Sequence, residues 1–242
     1  MNIAETVKTG DPDRYLAAMA AKPDDREKLL VLYAFNLETA RAPWASAEPM
    51  IAEMRLQWWL DAIGDIFEGR GVRGHEVLGP LNALIDTHEL PRQIFDDMIN
   101  ARRFDIYREP HADRVAFDHH ILSTSGGIMG LAAQILGGDA FEVKDIAYAT
   151  GVANLLRATP ELIARGRKPL PDDVGQVVDT ALSALSNQAN KMVFPAVLAG
   201  WRARAALRVA RKSPEYIVAG QLEESPAWRR VSFLQSRVSG RV

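Results

Sequence analysis

The stretch REKLLVLYAFNLETAR, residues 26–41, decides the fold class of this 242-residue chain. Four of its apolar residues repeat at the spacing of one helix face: Leu29, Leu30, Tyr33 and Leu37. Such spacing is typical of an amphipathic α-helix. The group Pro23-Asp24-Asp25 in front of it supplies a turn and a helix N-cap. The stretch therefore predicts a helix with one buried face.

Helical patterns continue outward from this stretch in both directions. Helices are expected at residues 15–19, 29–37, 49–67, 75–88, 91–107, 114–136, 141–163, 174–192, 195–212 and in a tail from 226. No run alternates with period two for long enough to predict a strand, and no fixed-period repeat indicates a solenoid. The sequence predicts an all-α helical bundle forming a single domain over residues 1–242.

Composition narrows the classes of function. The chain has 29 basic and 31 acidic residues, so a general electrostatic affinity for nucleic acid is not expected. It has no cysteine, which excludes disulfides, thiolate nucleophiles and sulfur-ligated metal sites. The first ten residues resemble neither a secretory signal nor a transit peptide, and no window reaches the ~18 apolar residues of a spanning helix. We expect a cytoplasmic protein whose membrane contact, if it has one, is peripheral and on the inner face.

Three segments, in this order, resemble the squalene/phytoene synthase family. They are REKLLVLYAFNLETAR, EMRLQWWLDAIGDIFEG at 53–69, and GVANLLRATPELIARGRKPLP at 151–171; with GGIMGLAAQILG and FPAVLAG the likeness covers most of the chain. The resemblance implies the isoprenoid-synthase fold, in which antiparallel helices surround a deep apolar cavity. In active members that cavity joins two prenyl diphosphates head to head with the help of Mg²⁺.

The metal-binding motifs of active members are degenerate here. Mg²⁺ prefers oxygen ligands in octahedral array, and carboxylates three or four residues apart on facing helices supply them. The acids of the family's first motif align on Ala40, Arg41 and Trp44, and those of the second on Ala158, Glu161 and Leu162. Five of the six acids are lost and Glu161 survives. Pro160 also removes a backbone donor and is expected to kink the second helix. We predict no metal site and no cofactor.

The resemblance also implies a retained anion site. Arg41 would repel Mg²⁺ from the pocket and hold an anion directly, or it forms a structural ion pair with Glu38 or Glu161. Asn154, Arg157 and Arg167 match the family, and Arg157 aligns with a residue that contacts diphosphate in active members, whereas Leu37 aligns with a family arginine. The candidate anion or diphosphate pocket therefore consists of Arg41, Asn154, Arg157, Glu161 and Arg167.

Other side chains have both a functional and a structural interpretation. Tyr33, Met54 and Trp58 are candidates to line the cavity, although aromatic residues at helical spacing are usually core. Asp61 and Asp65 fit a solvated helix face better than a displaced metal motif. Two further pairs have structural interpretations: His119 and His120 diverge on a helix and do not chelate one ion, and Asp172-Asp173 is expected to cap the next helix.

Where the sequence departs from the family pattern, it resembles one branch of the family more closely. AFNLETA, MRLQWW and LRATP look like the family's non-catalytic branch, which includes a mitochondrial respiratory complex I assembly factor. This branch implies a role in building a membrane complex. We expect a protein without prenyl-transfer activity that uses its cavity for an isoprenoid or lipid-like ligand, or its surface for a partner such as a complex I subunit. The alternatives are a Mg²⁺-dependent transferase condensing farnesyl or geranylgeranyl diphosphate, and a diphosphate sensor or carrier.

The stretch FPAVLAGWRARAALRVARK, residues 194–212, predicts a helix with a basic side. Its basic residues are Arg202, Arg204, Arg208, Arg211 and Lys212. Such a helix is compatible with an anionic lipid surface, with an acidic partner or with an ordinary solvated face. The tail WRRVSFLQSRV, residues 228–238, repeats the pattern more weakly. Peripheral membrane contact is therefore an open hypothesis.

Overall fold

The computed structural model describes residues 2–107, 109–185, 190–223 and 225–242. Fourteen α-helices are found among them: α1 Ile3–Gly10, α2 Pro12–Ala20, α3 Pro23–Arg41, α4 Pro49–Phe67, α5 Leu78–His88, α6 Arg92–Ala101, α7 Arg114–Ile121, α8 Gly127–Ile135, α9 Ala140–Ala164, α10 Val174–Ala184, α11 Phe194–Leu198, α12 Ala203–Lys212, α13 Glu215–Ala219 and α14 Pro226–Ser239. Two 3₁₀ turns, Ala42–Trp44 and Arg102–Ile106, and a π-helical turn, Leu122–Gly126, complete the order. No strand occurs in these ranges, and the all-α prediction is confirmed.

Side chains at the helix N-termini explain where several helices begin. A polar N-cap side chain accepts a hydrogen bond from a backbone N–H of the first turn in five helices: Asn2 in α1, Asp11 in α2, Asp113 in α7, Asp139 in α9 and Ser225 in α14. Each cap satisfies one of the backbone donors that a helix start leaves unpaired.

Helices α3 and α9 form the centre of the bundle. Helix α3 packs against α1, α2, α5 and α8, and α9 packs against α8, α10, α12 and α13. Phe35 of α3 makes edge-to-face contacts with Trp59 at 5.7 Å and Phe95 at 5.4 Å between ring centroids. The buried apolar residues form one contiguous cluster. The two helices with the degenerate motifs are thus fixed at the core.

The predicted helix at 114–136 contains a π-helical turn. Helix α7 continues through Leu122–Gly126 into α8, and Thr124 Oγ1 donates to the His120 carbonyl at 2.7 Å inside this turn. Gly151 of α9 lies directly against it, because a Cβ at Gly151 would stand 2.7 Å from Ser125 Cβ. The turn therefore brings its polar side chains close to α9.

Several predicted helix boundaries need correction. The stretch 195–212 is two helices, α11 and α12, and the chain bends between them at Gly200, where a Cβ would stand 2.1 Å from Thr150 Oγ1. The stretch 91–107 ends as a 3₁₀ turn, and α5 begins only at Leu78. A helix was predicted over 174–192, and the observed helix α10 ends at Ala184. Residues 186–189 of that prediction lie outside the described residues. Helix α9 runs through Pro160 without interruption.

Candidate functional site

A pocket of about 260 Å³ lies between the two segments with the degenerate motifs. Four of its lining residues occupy positions that align with acids of active members: Ala40, Trp44, Ala158 and Leu162. All four are apolar. A pocket thus lies at the place that the family likeness implies, and none of these four positions presents a carboxylate to it.

Arg41 does not face this pocket. Its side chain is exposed, and Nη1 lies 3.7 Å from Glu38 Oε1. It lines a separate cleft of about 290 Å³ together with Trp58 and His75. The expectation that the Arg41 guanidinium points into the pocket is therefore wrong, and the ion pair with Glu38 is the one formed.

Glu161 also points away from the pocket. Its side chain is 69% exposed and accepts a hydrogen bond from Arg165 Nη2 at 2.5 Å. Because the one surviving acid of the motifs faces solvent, it adds no carboxylate to the pocket.

Arg157 belongs to an ion-pair network beside the pocket. Its Nε donates to Glu223 at 2.8 Å, and Nη2 lies 3.4 Å from Asp13. Arg202 was expected on the exposed basic side of its helix, but it is buried. It donates hydrogen bonds to the same two carboxylates, and the distance to Asp13 is 3.1 Å. Arg157 Nη1 also donates to Asn154 Oδ1 at 3.1 Å, and Asn154 lines the pocket. The network thus holds Arg157 and fixes the orientation of the Asn154 amide.

Arg167 is buried next to the pocket wall. Its guanidinium carbon lies 4.9 Å from the Phe104 ring centroid and 5.9 Å from a Trp44 ring centroid. Its nearest carboxylate is Asp105, at 3.8 Å. The structure therefore places Asn154, Arg157 and Arg167 around one region, and Arg41 and Glu161 outside it.

The structure adds four ionisable groups that the sequence analysis did not place in the pocket. Arg14 comes from α2, Arg102 and Asp105 from the second 3₁₀ turn, and His120 from α7, and all four line the pocket. Their segments are distant in sequence and carry no recognised motif. The folded chain alone brings them together.

Among the described lining residues, two arginines and one aspartate carry charge. Arg14 pairs with Asp11 at 2.5 Å, and Arg102 pairs with Asp105 at 3.4 Å. Burial lowers the pKa of His120 to about 4, with Asp105 opposing the shift and Arg102 reinforcing it. His120 is therefore neutral at pH 7, and the arginines supply the positive charge.

Two buried polar atoms at the pocket have no hydrogen-bond partner among the described residues. They are Asn36 Oδ1, which belongs to a lining residue, and Arg167 Nη1 in the adjacent wall. A buried donor or acceptor without a partner has a desolvation cost that a bound ligand removes. Such atoms favour a polar ligand over an apolar one.

The residues of the pocket do not fit Mg²⁺. Asp105 is the sole carboxylate among the described lining residues, and it faces arginines. In the described ranges no group of three or more His, Asp or Glu side chains is arranged to hold a metal ion. A cation surrounded by guanidinium groups is repelled, whereas an anion is attracted.

The predicted cavity-lining residues are dispersed. Tyr33 is buried in the core beside Arg14, whose guanidinium carbon lies 5.8 Å from the ring centroid. Met54 is 66% exposed, so its assignment to the cavity is wrong. Trp58 lines the cleft near Arg41. The pocket itself has both polar and apolar lining residues, and its volume of about 260 Å³ is slightly below the ~300–1,000 Å³ of drug-sized ligand sites.

The remaining interpreted residues have structural partners. Asp65 accepts hydrogen bonds from Arg70 and Arg73, at 2.7 and 2.6 Å, which lower its pKa. Asp173 precedes α10 without a side-chain cap and accepts from Arg114 at 2.9 Å instead, so the capping prediction is wrong there. His119 is exposed, and its ring diverges from that of His120 as expected.

Comparison with known proteins gives one family. A family model described as Squalene/phytoene synthase matches residues 7–230. The chain is 25% identical over 179 residues to a bovine protein named NADH dehydrogenase (ubiquinone) complex I, assembly factor 6, and 24% identical to the human protein of that name. These matches cover 70% of this chain and 52% of each relative, so the chain spans about half the length of the curated relatives it matches.

Two solved structures share the fold. A dehydrosqualene synthase in complex with ligand superposes with a TM-score of 0.67 at 16% identity, covering 98% of this chain and 94% of that one. Squalene synthase HpnC from Alicyclobacillus acidocaldarius gives 0.63 at 15% identity, covering 98% and 92%. The isoprenoid-synthase fold expected from the sequence is thereby confirmed.

Proposed function

The chain belongs to the squalene/phytoene synthase family, and from that premise we propose that it is a non-catalytic member that assists the assembly of respiratory complex I. The observation that carries this proposal is the chemistry of the central pocket. Where active members present acids, the pocket presents Ala40, Trp44, Ala158 and Leu162. With Asp105 as its sole carboxylate among the described lining residues, it lacks the set of ligands with which Mg²⁺ stabilises a departing diphosphate.

The assembly role is supported by the relatives named as complex I assembly factors. Because their degree of identity is similar across mammals and an insect, 24–27%, the likeness does not depend on one sequence. The partner in this proposal is a subunit or precursor of complex I. We infer this partnership from the names of the relatives, and gene deletion tests it.

The ligand in this proposal is the anionic head of an isoprenoid or lipid-like molecule. Arg14 and Arg102 direct positive charge at the pocket, and Asn36 and Asn154 add amide groups. Guanidinium groups bind phosphate oxygens through paired hydrogen bonds and need no metal. Binding would therefore be independent of Mg²⁺, and the ligand would leave chemically unchanged.

Location is part of the same proposal. Within the described residues no helix is long and apolar enough to cross a membrane. A protein that assists a membrane complex needs access to the membrane surface, so we place it on the cytoplasmic side with peripheral contact. Nucleic acid is not among the proposed partners.

Gene deletion tests the assembly role. Deletion in the organism that encodes the chain is expected to lower assembled complex I on native gels and the NADH dehydrogenase activity of membranes, and a wild-type copy is expected to restore both. Squalene, hopanoid and carotenoid levels serve as the control and are expected to stay the same. Normal complex I with loss of these hydrocarbons would instead support the transferase alternative.

A further inference from the structure

Helix α14 carries exposed apolar side chains along one side. The exposed fractions are 65% for Trp228, 43% for Val231, 56% for Leu234 and 87% for Val238. At ~100° per residue these four positions fall within about one third of the helix circumference. Phe233 points elsewhere and packs against Trp201 at 5.5 Å between ring centroids. The helix is thus attached to the core on one side and leaves a second apolar side uncovered.

This uncovered side borders a groove. The groove has a volume of about 1070 Å³ and lies between α12 and α14. Its apolar floor includes Ile146, Val197 and Trp201, and its rim includes Leu234 and Val238. It therefore has room for apolar groups that reach in from outside the protein.

The rim of the groove is basic. Arg204, Arg208 and Arg241 line it, and a second cleft continues the basic surface along Arg208 to Arg211 and Lys212. No acidic side chain is present among the described residues that line either space. Outside these linings, Asp179 pairs with Arg211 at 2.9 Å.

The charge of the chain is unevenly distributed. Residues 203–212 and 226–242 contain eight basic and no acidic residues, in a chain whose formal net charge is −2. The remainder consequently carries −10. The α12–α14 surface is therefore a positive region on an otherwise acidic protein, and it attracts an anionic surface over a distance of about one Debye length.

The positive charge and the exposed apolar groups together indicate which kind of partner fits the α12–α14 surface. A second copy docked about a two-fold axis would place arginines against arginines, which is unfavourable. Nucleic acid offers phosphates but no apolar layer for Trp228, Val231 and Val238. An anionic phospholipid surface offers both, and helices with Trp and Leu on one side and Arg on the other lie in such interfaces.

We infer that the α12–α14 surface docks on an anionic phospholipid membrane, with Trp228, Leu234 and Val238 entering the interface and Arg208 and Arg241 contacting phosphate groups. This inference rests on the proposed peripheral membrane contact and adds the surface and the lipid class.

Vesicle co-sedimentation of the full chain tests this inference. The vesicles are equimolar phosphatidylglycerol and phosphatidylcholine, or phosphatidylcholine alone. Wild-type protein is expected to bind the anionic vesicles and to lose binding at high salt. Arg208→Glu is expected to weaken partitioning about tenfold or more, because each basic contact near an anionic surface is worth a factor of roughly five and reversal adds repulsion. Val238→Glu is expected to weaken it as well, because it puts a negative charge in place of an apolar group that enters the interface.

Matched controls are available on other surfaces. Val115 is 77% exposed on α7, and Lys144 is exposed on α9, so Val115→Glu and Lys144→Glu repeat both changes in chemistry away from α12 and α14. Both controls are expected to bind like wild type. Circular dichroism of all four variants checks that they are folded.

The possible outcomes distinguish two claims: that the protein binds anionic membranes, and that it does so through the α12–α14 surface. Wild-type binding that Val238→Glu and Arg208→Glu leave unchanged would overturn the assignment of the surface while leaving membrane contact intact. No binding to anionic vesicles would overturn both. Self-association that Val238→Glu abolishes, measured by analytical ultracentrifugation without lipid, would assign the surface to a second copy and overturn the inference, as would tighter binding to duplex DNA or RNA than to vesicles.

Discussion

Arg102 supplies positive charge to the central pocket, and its one ion pair in the described structure is with Asp105 at 3.4 Å. Arg102→Ala is expected to weaken binding of inorganic pyrophosphate about tenfold or more, because hydrogen bonds to charged groups contribute roughly 1.5–3 kcal/mol. Isothermal titration calorimetry in EDTA measures the change. Arg70→Ala is the control, since Arg70 is exposed and pairs with Asp65 at 2.7 Å, away from the pocket lining. Equal affinities of the two variants would contradict the assigned pocket.

His120 makes the stability of the protein depend on pH. Its pKa is about 4 in the folded chain, below the ordinary value of 6.5, mainly because the ring is buried. Between these values the unfolded chain binds the proton more readily, so the free energy of unfolding contributed by His120 is present above pH 6.5 and is lost as the pH falls toward 4. The loss from pH 7 to pH 5 is on the order of 2 kcal/mol.

Replacing His120 tests this pH dependence. His120→Gln is expected to show a smaller decrease in unfolding free energy between pH 7 and pH 5 than wild type, since glutamine does not titrate. Urea denaturation at both pH values measures the two decreases. The comparison uses the change with pH within each protein, so a constant effect of the substitution cancels. Parallel decreases in both proteins would show that His120 does not titrate as described.

The difference between predicted and observed site residues has a geometric cause. Ala40 and Trp44 are four residues apart and face the pocket together, whereas Arg41 is rotated by about 100° and faces a different cleft. The motif alignment located the segment correctly but not the direction of each side chain. Arg14 and Arg102 could not be predicted, because no local pattern marks them and only tertiary packing brings them to the pocket.

At the scale of secondary-structure elements, the close contact between α9 and the π-helical turn depends on Gly151. Gly151→Ala is expected to destabilise the protein by about 1–2 kcal/mol, because overpacking against Ile121 and Ser125 outweighs the higher helix propensity of alanine. Thermal unfolding is expected to show a midpoint lowered by several degrees.

Gly175 provides the matched control for that substitution. It lies in the first turn of α10, and a Cβ there would meet nothing within 4 Å. Gly175→Ala is therefore expected to leave the midpoint unchanged or to raise it slightly. A decrease of similar size in both variants would remove the argument for close packing at Gly151.

Helix existence was easier to predict from the sequence than helix boundaries. Strong periodicity predicted α4 and α9 to within one residue, because long amphipathic segments bury a continuous face. The bend at Gly200 was missed, since it arises from contact with Thr150 of another helix. Two short helices, α1 and α13, were also missed, because five to eight residues give little periodic signal.

At the scale of the whole molecule, the likeness to the family predicted the fold. The amino-acid composition, however, described the charge of the protein incompletely. The balanced count of 29 basic and 31 acidic residues indicated only local recognition. The structure shows that α12 and α14 carry seven of the 29 basic residues and no acidic residue, and composition cannot reveal this grouping. The same averaging hides the arginines of the pocket.

The most direct test of the account is a turnover assay with farnesyl diphosphate, with Mg²⁺ and with EDTA, beside an active squalene synthase as the positive control. The account predicts no sustained diphosphate release and no coupled hydrocarbon in either buffer, and binding of pyrophosphate in EDTA, which also shows that the sample is folded. Sustained release that requires Mg²⁺, accompanied by a coupled hydrocarbon product, would contradict it.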